Sequence, residues 1–145
     1  MESYIPTEIA AYFKNENFVD YPLVSVPQEF SDDRGLIRNV ADGTLGDVAV
    51  IESNSGSIRA NHYHREDWHL CYLISGAMEY AWKDSLSDEK SHKKVITPSQ
   101  MIFTPAMTPH RIKFLEDSIF LSISKLSRIS KNYENDTFKI EKNFF

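Results

Sequence analysis

The sequence predicts an all-β barrel or sandwich built as one domain. From residue 23 onward the apolar residues fall in short alternating or β-branched runs, and Gly, Pro, Asp, Asn and Ser separate those runs at close intervals. Size supports the same reading: 145 residues suit a single core, because each half alone would bury barely enough apolar surface to offset its conformational entropy.

At the N-terminus, Pro6 precedes Ile9, Tyr12 and Phe13 at helical offsets, which predicts a short amphipathic helix over 7–14. Residues 1–22 are read as this helix and an arm, 23–127 as the barrel and 128–145 as a C-terminal tail. Strands are expected at 23–26, 36–40, 46–51, 57–64, 68–75, 77–82, 93–97, 101–104, 110–114 and 118–124. Their turns are Asp32-Asp33-Arg34-Gly35, Asp42-Gly43, Asn54-Ser55-Gly56 and Ser75-Gly76. The charged, Ser-rich stretch 83–91 reads as a solvated loop, with His92 beside it exposed and without a role. The tail, rich in Lys, Asn and aromatic residues, either wraps the barrel or serves a dimer.

Composition narrows the partners. A formal charge of −5, from 16 basic and 21 acidic residues, leaves no electrostatic footprint for nucleic acid or anionic lipid. Cys71 is the single cysteine and the start lacks the basic and apolar regions of a secretory signal, so a cytoplasmic protein is expected. No apolar run reaches the length needed to cross a bilayer, and no membrane association is expected.

The chemistry concentrates in histidines. His62 and His64 flank Tyr63, and the two-residue period of a strand sets both imidazoles on one face. His69 opens the next strand, with Cys71 and Leu73 at its parity, and His110 follows Pro105 and Pro109 at what reads as a barrel rim. Neutral imidazoles on adjacent strands can close on a divalent transition metal: zinc, iron, nickel or manganese. The blander reading is a metal-free polar pocket that uses the same histidines as acid and base.

These spacings resemble the cupin family. Its first motif runs Gly, five residues, His-x-His, three or four residues, Glu, six residues, Gly; here Gly56, His62-Tyr63-His64, His69 and Gly76 keep every gap. Its second motif runs Gly, five residues, Pro-x-Gly, two residues, His; here Ser99, Pro105-Ala106-Met107 and His110 keep that spacing, with Ser99 and Met107 in place of the glycines. The resemblance implies a double-stranded β-helix, or jelly-roll, barrel with a short N-terminal helix. It also implies metal-ligand roles for His62, His64 and His110, with His69 standing where the family usually has Glu.

Within the cupins, Asp32-Asp33-Arg34-Gly35-Leu36 and Arg59-Ala60-Asn61-His62-Tyr63-His64 resemble the Asp-x-Arg-Gly and Arg-Gly-x-His-x-His stretches of enzymes acting on nucleotide-linked keto sugars. Such enzymes include dTDP-4-dehydrorhamnose 3,5-epimerases, keto-sugar isomerases and the cupin domain of capsular polysaccharide biosynthesis enzymes. This likeness implies an isomerase or epimerase with a small-molecule substrate, and a homodimer. His62 or His64 is the expected base without metal, and Tyr80 the expected base with metal bound. Arg59, Arg34 and Arg38 are expected on a diphosphate. Tyr80 and Trp82, at the inward parity of Met78, offer aromatic faces to a sugar or base. Glu66 and Asp67 read as solvated turn residues, or as acceptors behind a ligand imidazole. An Fe(II)-dependent dioxygenase and a non-catalytic small-ligand-binding cupin are the alternative readings.

Overall fold

A computed structural model describes residues 20–25, 28–129, 131–141 and 143–145. The helix expected over 7–14 lies outside the described residues. The chain forms β1 (Leu23–Val24), β2 (Gln28–Asp32), β3 (Gly35–Asn39), β4 (Asp47–Ser53), β5 (Ile58–His64) and β6 (His69–Ser75). It continues through β7 (Met78–Trp82), β8 (His92–Ile96), β9 (Met101–Thr104), β10 (His110–Phe114) and β11 (Ser118–Ser124). A short helix, α1 (Lys131–Asp136), and a last strand, β12 (Thr137–Lys139), follow.

Two five-stranded antiparallel sheets make the jelly roll, one in the order β1-β9-β6-β11-β4 and the other β12-β5-β10-β7-β8. β2 and β3 stand apart as a hairpin whose turn is Asp32-Asp33-Arg34-Gly35. Each strand expected from the sequence is present within a few residues. β2, α1 and β12 were not expected.

β6 shows why the barrel closes. It lies in the middle of its sheet, and its alternate residues serve two different cores. Leu73 joins Met78, Tyr80, Ile96, Ile102, Phe114 and Phe120 between the sheets. Leu70 and Tyr72 face outward into a second cluster with Val24, Trp68, Met101, Phe103 and Ile123, covered by the partly buried Val40, Ala41 and Leu45. A strand buried on both faces reads as a continuous apolar run, as 70–74 does.

The tail wraps the barrel. β12 pairs with the outer edge of β5, Thr137 opposite His64 and Lys139 opposite His62, and Phe138 stacks on Tyr63 with centroids 5.2 Å apart. Asp136 caps the turn after β5 by accepting the backbone amides of Glu66 and Asp67 at 2.8–3.1 Å. No helix among the described residues is long and apolar enough to cross a membrane.

Candidate functional site

β5 and β10 set the histidines, and a bulge aims them. The register passes from His110 opposite His62 to Arg111 opposite Ala60, so Asn61 is the extra residue. Ala60 and Asn61 take left-handed φ values of 62° and 60° to make it. Asn61 is then clamped by the tail, its carbonyl accepting from the Ile140 amide at 3.1 Å and its Nδ2 donating to the Ile140 carbonyl at 3.0 Å.

His62, His64 and His110 converge. One ring nitrogen from each lies within 4.8 Å of the others. The His62 ring centroid is 4.4 Å from that of His64 and 4.9 Å from that of His110. His69 stands next to this trio, its ring stacked on His64 at 4.6 Å, with its Nε2 turned to a carboxylate oxygen of Asp67 at 2.9 Å. The expected fourfold set is thus three imidazoles around a point and a fourth tied to Asp67.

Neighbouring bonds fix the tautomers. His110 Nδ1–H donates to the Thr108 carbonyl at 2.9 Å, which leaves the lone pair on Nε2. The Thr137 hydroxyl donates to the Tyr133 carbonyl at 2.8 Å, so toward His64 Nδ1, 3.3 Å away, it acts as acceptor. His64 therefore carries Nδ1–H and a lone pair on Nε2. That Nε2 is buried and has no hydrogen-bond partner. An orphaned buried acceptor costs about 1–3 kcal/mol, and a cation among the three rings would satisfy it. The residues fit a metal ion.

Electrostatics agree with that fit. Burial, with the neighbouring histidines adding to it, pushes His62 down to about 2 and His64 to about 3. Burial also takes His110 to about 4, against the Thr108 bond that raises it. All three are neutral ligands at neutral pH. Asp67 is fully buried, which would raise its carboxyl, yet the hydrogen bond from His69 and that from the Leu126 amide hold it below the ordinary carboxylate range. Its other oxygen accepts the amides of Lys125 and Leu126, each at 3.0 Å. The reading of Asp67 as a solvated turn residue gives way to that of an acceptor behind an imidazole.

A cavity of about 150 Å³ opens beside the histidines, lined among others by Arg59, His62, His69, Cys71, Thr104, His110, Arg128 and Tyr133. Arg59 lies at its exposed side, braced by Ser53 Oγ at 2.7 Å and the Glu52 carbonyl at 3.0 Å. Cys71 is inward as its parity predicts, but burial pushes its thiol up to about 12, so it acts as a small apolar residue.

Four expected site residues, Tyr80, Trp82, Arg34 and Arg38, lie outside the cavity lining. Tyr80 is inward but fully buried behind the cavity wall, its hydroxyl bonded to Thr104 Oγ1 at 2.8 Å, and burial raises it well above the usual phenol value. Trp82 is enclosed between Tyr21 and His92, with ring centroids at 5.8 and 5.2 Å. His92 is therefore half-buried against an indole, and it is paired with Asp84 at 3.3 Å, where exposure had been expected. Arg34 sits on the β2–β3 turn and pairs with its neighbour Asp32 at 2.6 Å, and Arg38 pairs with Glu29 on the same hairpin at 3.2 Å. Neither guanidinium is among the cavity's lining residues. Sequence reasoning missed Arg128, Tyr133, Asp136 and Thr137, because contacts spanning about 70 residues of chain leave no local pattern.

No protein-family model matches the chain. No curated protein matches it by sequence. Solved structures do match in fold. A dTDP-4-dehydrorhamnose 3,5-epimerase from Sulfolobus tokodaii superposes with a TM-score of 0.67 at 20% identity, over 85% of this chain and 78% of that one. The sugar 3,4-ketoisomerase QdtA from Thermoanaerobacterium thermosaccharolyticum, solved with TDP, gives 0.67 at 12% identity over 87% and 93%. The capsular polysaccharide assembling protein CapF from Staphylococcus aureus gives 0.57 at 22% identity; 83% of this chain aligns, spanning about a third (33%) of CapF. The barrel, its paired motifs and these superpositions together establish that this chain has the cupin fold.

Proposed function

We propose that this protein is a metal-binding cupin enzyme, an isomerase or epimerase that moves a proton beside the carbonyl of a nucleotide-linked keto sugar, or a similar polyhydroxy carbonyl compound, in surface polysaccharide synthesis. The observation that carries the proposal is the unpartnered Nε2 of His64, buried within a group of three ring nitrogens lying within 4.8 Å of one another. His62, His64 and His110 would hold the ion, zinc, iron, nickel or manganese, and His69, tied to Asp67, stays outside that set. Such an ion, when bound, acts as a Lewis acid that stabilises negative charge on a carbonyl oxygen. Solved enzymes of this fold, a dTDP-4-dehydrorhamnose 3,5-epimerase and a sugar 3,4-ketoisomerase in complex with TDP, support the substrate class.

His69 takes the role of base that the sequence had given to Tyr80. It lines the cavity, and its Nε2–H is anchored on a carboxylate, which leaves the Nδ1 lone pair for a substrate proton. Asp67 stays ionised, so the imidazolium formed on proton uptake is stabilised where it stands. Returning that proton completes an isomerisation without any co-substrate. Tyr80, bonded to Thr104, positions a hydroxyl of the cavity wall.

Two measurements test this. Elemental analysis of the purified protein is expected to give about one transition-metal ion per chain, lost in a His62→Ala, His64→Ala double variant. Incubation with nucleotide-linked 4-keto sugars in deuterated water is expected to carry deuterium into the ring. No incorporation from any of them in the metal-loaded protein would overturn the isomerase reading. Bound iron with substrate-dependent oxygen uptake would instead establish the dioxygenase. We also propose a homodimer, supported by the apolar surface of edge strand β4, where Val48 and Val50 are 60% and 65% exposed. Sedimentation at the mass of one chain would exclude it.

A further inference from the structure

We propose that Arg128 forms a carboxylate-binding subsite inside the barrel cavity, so that the sugar bound there is an acid. The inference rests on the reading of the cavity as a sugar site. Arg128 follows the last barrel strand, outside every stretch that resembles the cupin motifs, and it lines the same cavity as His62, His69 and His110.

Its guanidinium is held but not saturated. Nη2 donates to Ser122 Oγ at 2.8 Å, on the inward face of β11. The Tyr133 ring lies under the guanidinium carbon at 5.5 Å. Asp47 approaches Nε at 3.3 Å, yet Nε is buried and makes no hydrogen bond. Among the described residues Nη1 has no hydrogen-bond partner. A planar fork fixed by a serine and an aromatic ring, with donors left over, matches the two oxygens of a carboxylate.

The charge balance selects an anion over a hydroxyl. Arg59 and Arg128 both line the cavity. Asp47 reaches Arg128 from outside the cavity, and Asp67 is turned to His69 and two backbone amides. No Asp or Glu is among the cavity's lining residues, so a ligand carboxylate meets two guanidinium groups and no facing anion. A hydroxymethyl group in its place offers one uncharged acceptor oxygen where a carboxylate offers two charged ones, so its hydrogen bonds to the guanidinium are fewer and weaker.

The test uses the protein as purified, titrated calorimetrically with UDP-glucuronate and UDP-glucose, which differ only in a carboxylate against a hydroxymethyl group, and with pyruvate as an acid that is not a sugar. The acid nucleotide is expected to bind at least about tenfold more tightly than the neutral one. Arg128→Gln should erase that preference to within about twofold, and Arg128→Lys, which keeps the charge, should retain part of it. Asp47→Asn removes the competing carboxylate and should strengthen binding of the acid, the opposite of what loss of a merely structural ion pair would give. Equal affinity for the two nucleotide sugars, an unchanged preference in Arg128→Gln, or no binding of any of the three compounds overturns the inference. Binding of pyruvate alone, abolished in Arg128→Gln, upholds the acid subsite and sinks the nucleotide-sugar reading.

Discussion

Ala60, Ser99 and Met107 occupy three positions where the motifs that this chain resembles carry glycine, and their φ values are 62°, 70° and 63°. The left-handed geometry is kept although the residue suited to it is absent. Met107 shows why: its amide donates to the His64 carbonyl at 2.6 Å, so relaxing its φ would detach the loop from the ligand strand. Each L-residue held there costs about 1–2 kcal/mol, partly offset by the greater freedom that glycine has in the unfolded chain. Ala60→Gly, Ser99→Gly and Met107→Gly should therefore each raise stability by about 0.5–1 kcal/mol in urea unfolding. At Gly76, by contrast, a Cβ would lie 2.2 Å from Ser118 Oγ, and alanine there should destabilise. Asp67 is the other decisive residue. Asp67→Asn presents an amide donor to groups that are themselves donors, and should cost about 2 kcal/mol of stability. It should also slow solvent deuterium exchange into substrate about a hundredfold or more, with substrate affinity little changed.

At the scale of elements, the tail determines how the site is enclosed. α1 and β12 bring Tyr133 to the cavity, Thr137 to His64 and Asp136 to the turn between β5 and β6. A three-residue strand contributes little by itself, so the buried carboxylate of Asp136 and the pairing of β12 with β5 must hold the segment. Asp136→Ala leaves the Glu66 and Asp67 amides without an acceptor. It should lower stability by about 1–3 kcal/mol and speed hydrogen exchange at those amides first, before the core of β6.

For the whole molecule, burying neutral imidazoles makes the fold sensitive to acid. An unfolded histidine titrates near 6.5, whereas folded His62, His64 and His110 take protons only near 2, 3 and 4. Between those values and 6.5 the unfolded chain binds more protons, so acid favours unfolding. Stability of the metal-free protein should be flat above about pH 7.5 and fall by about 3–4 kcal/mol per pH unit around pH 5. Asp67, held low by His69, adds to the loss at lower pH. Chemical denaturation across this range checks it, and a pH-independent midpoint from 7 down to 5 would contradict the buried, neutral state of the trio.

The sequence by itself determined the strand pattern and the shared face of His62 and His64, because strand parity is a local property that survives without coordinates; the jelly-roll barrel and the meeting with His110 were what the resemblance to the two cupin motifs implied. Parity also placed Tyr80 and Trp82 inward correctly. It could not separate the apolar interior from the cavity, since both lie inside the same sheets. Only the tertiary structure turned His69 toward Asp67 and laid Tyr133, Thr137 and Arg128 against histidines far away in the chain. Those contacts depend on where a tail lands once the barrel has closed, and that landing is fixed by packing and hydrogen bonds between distant segments.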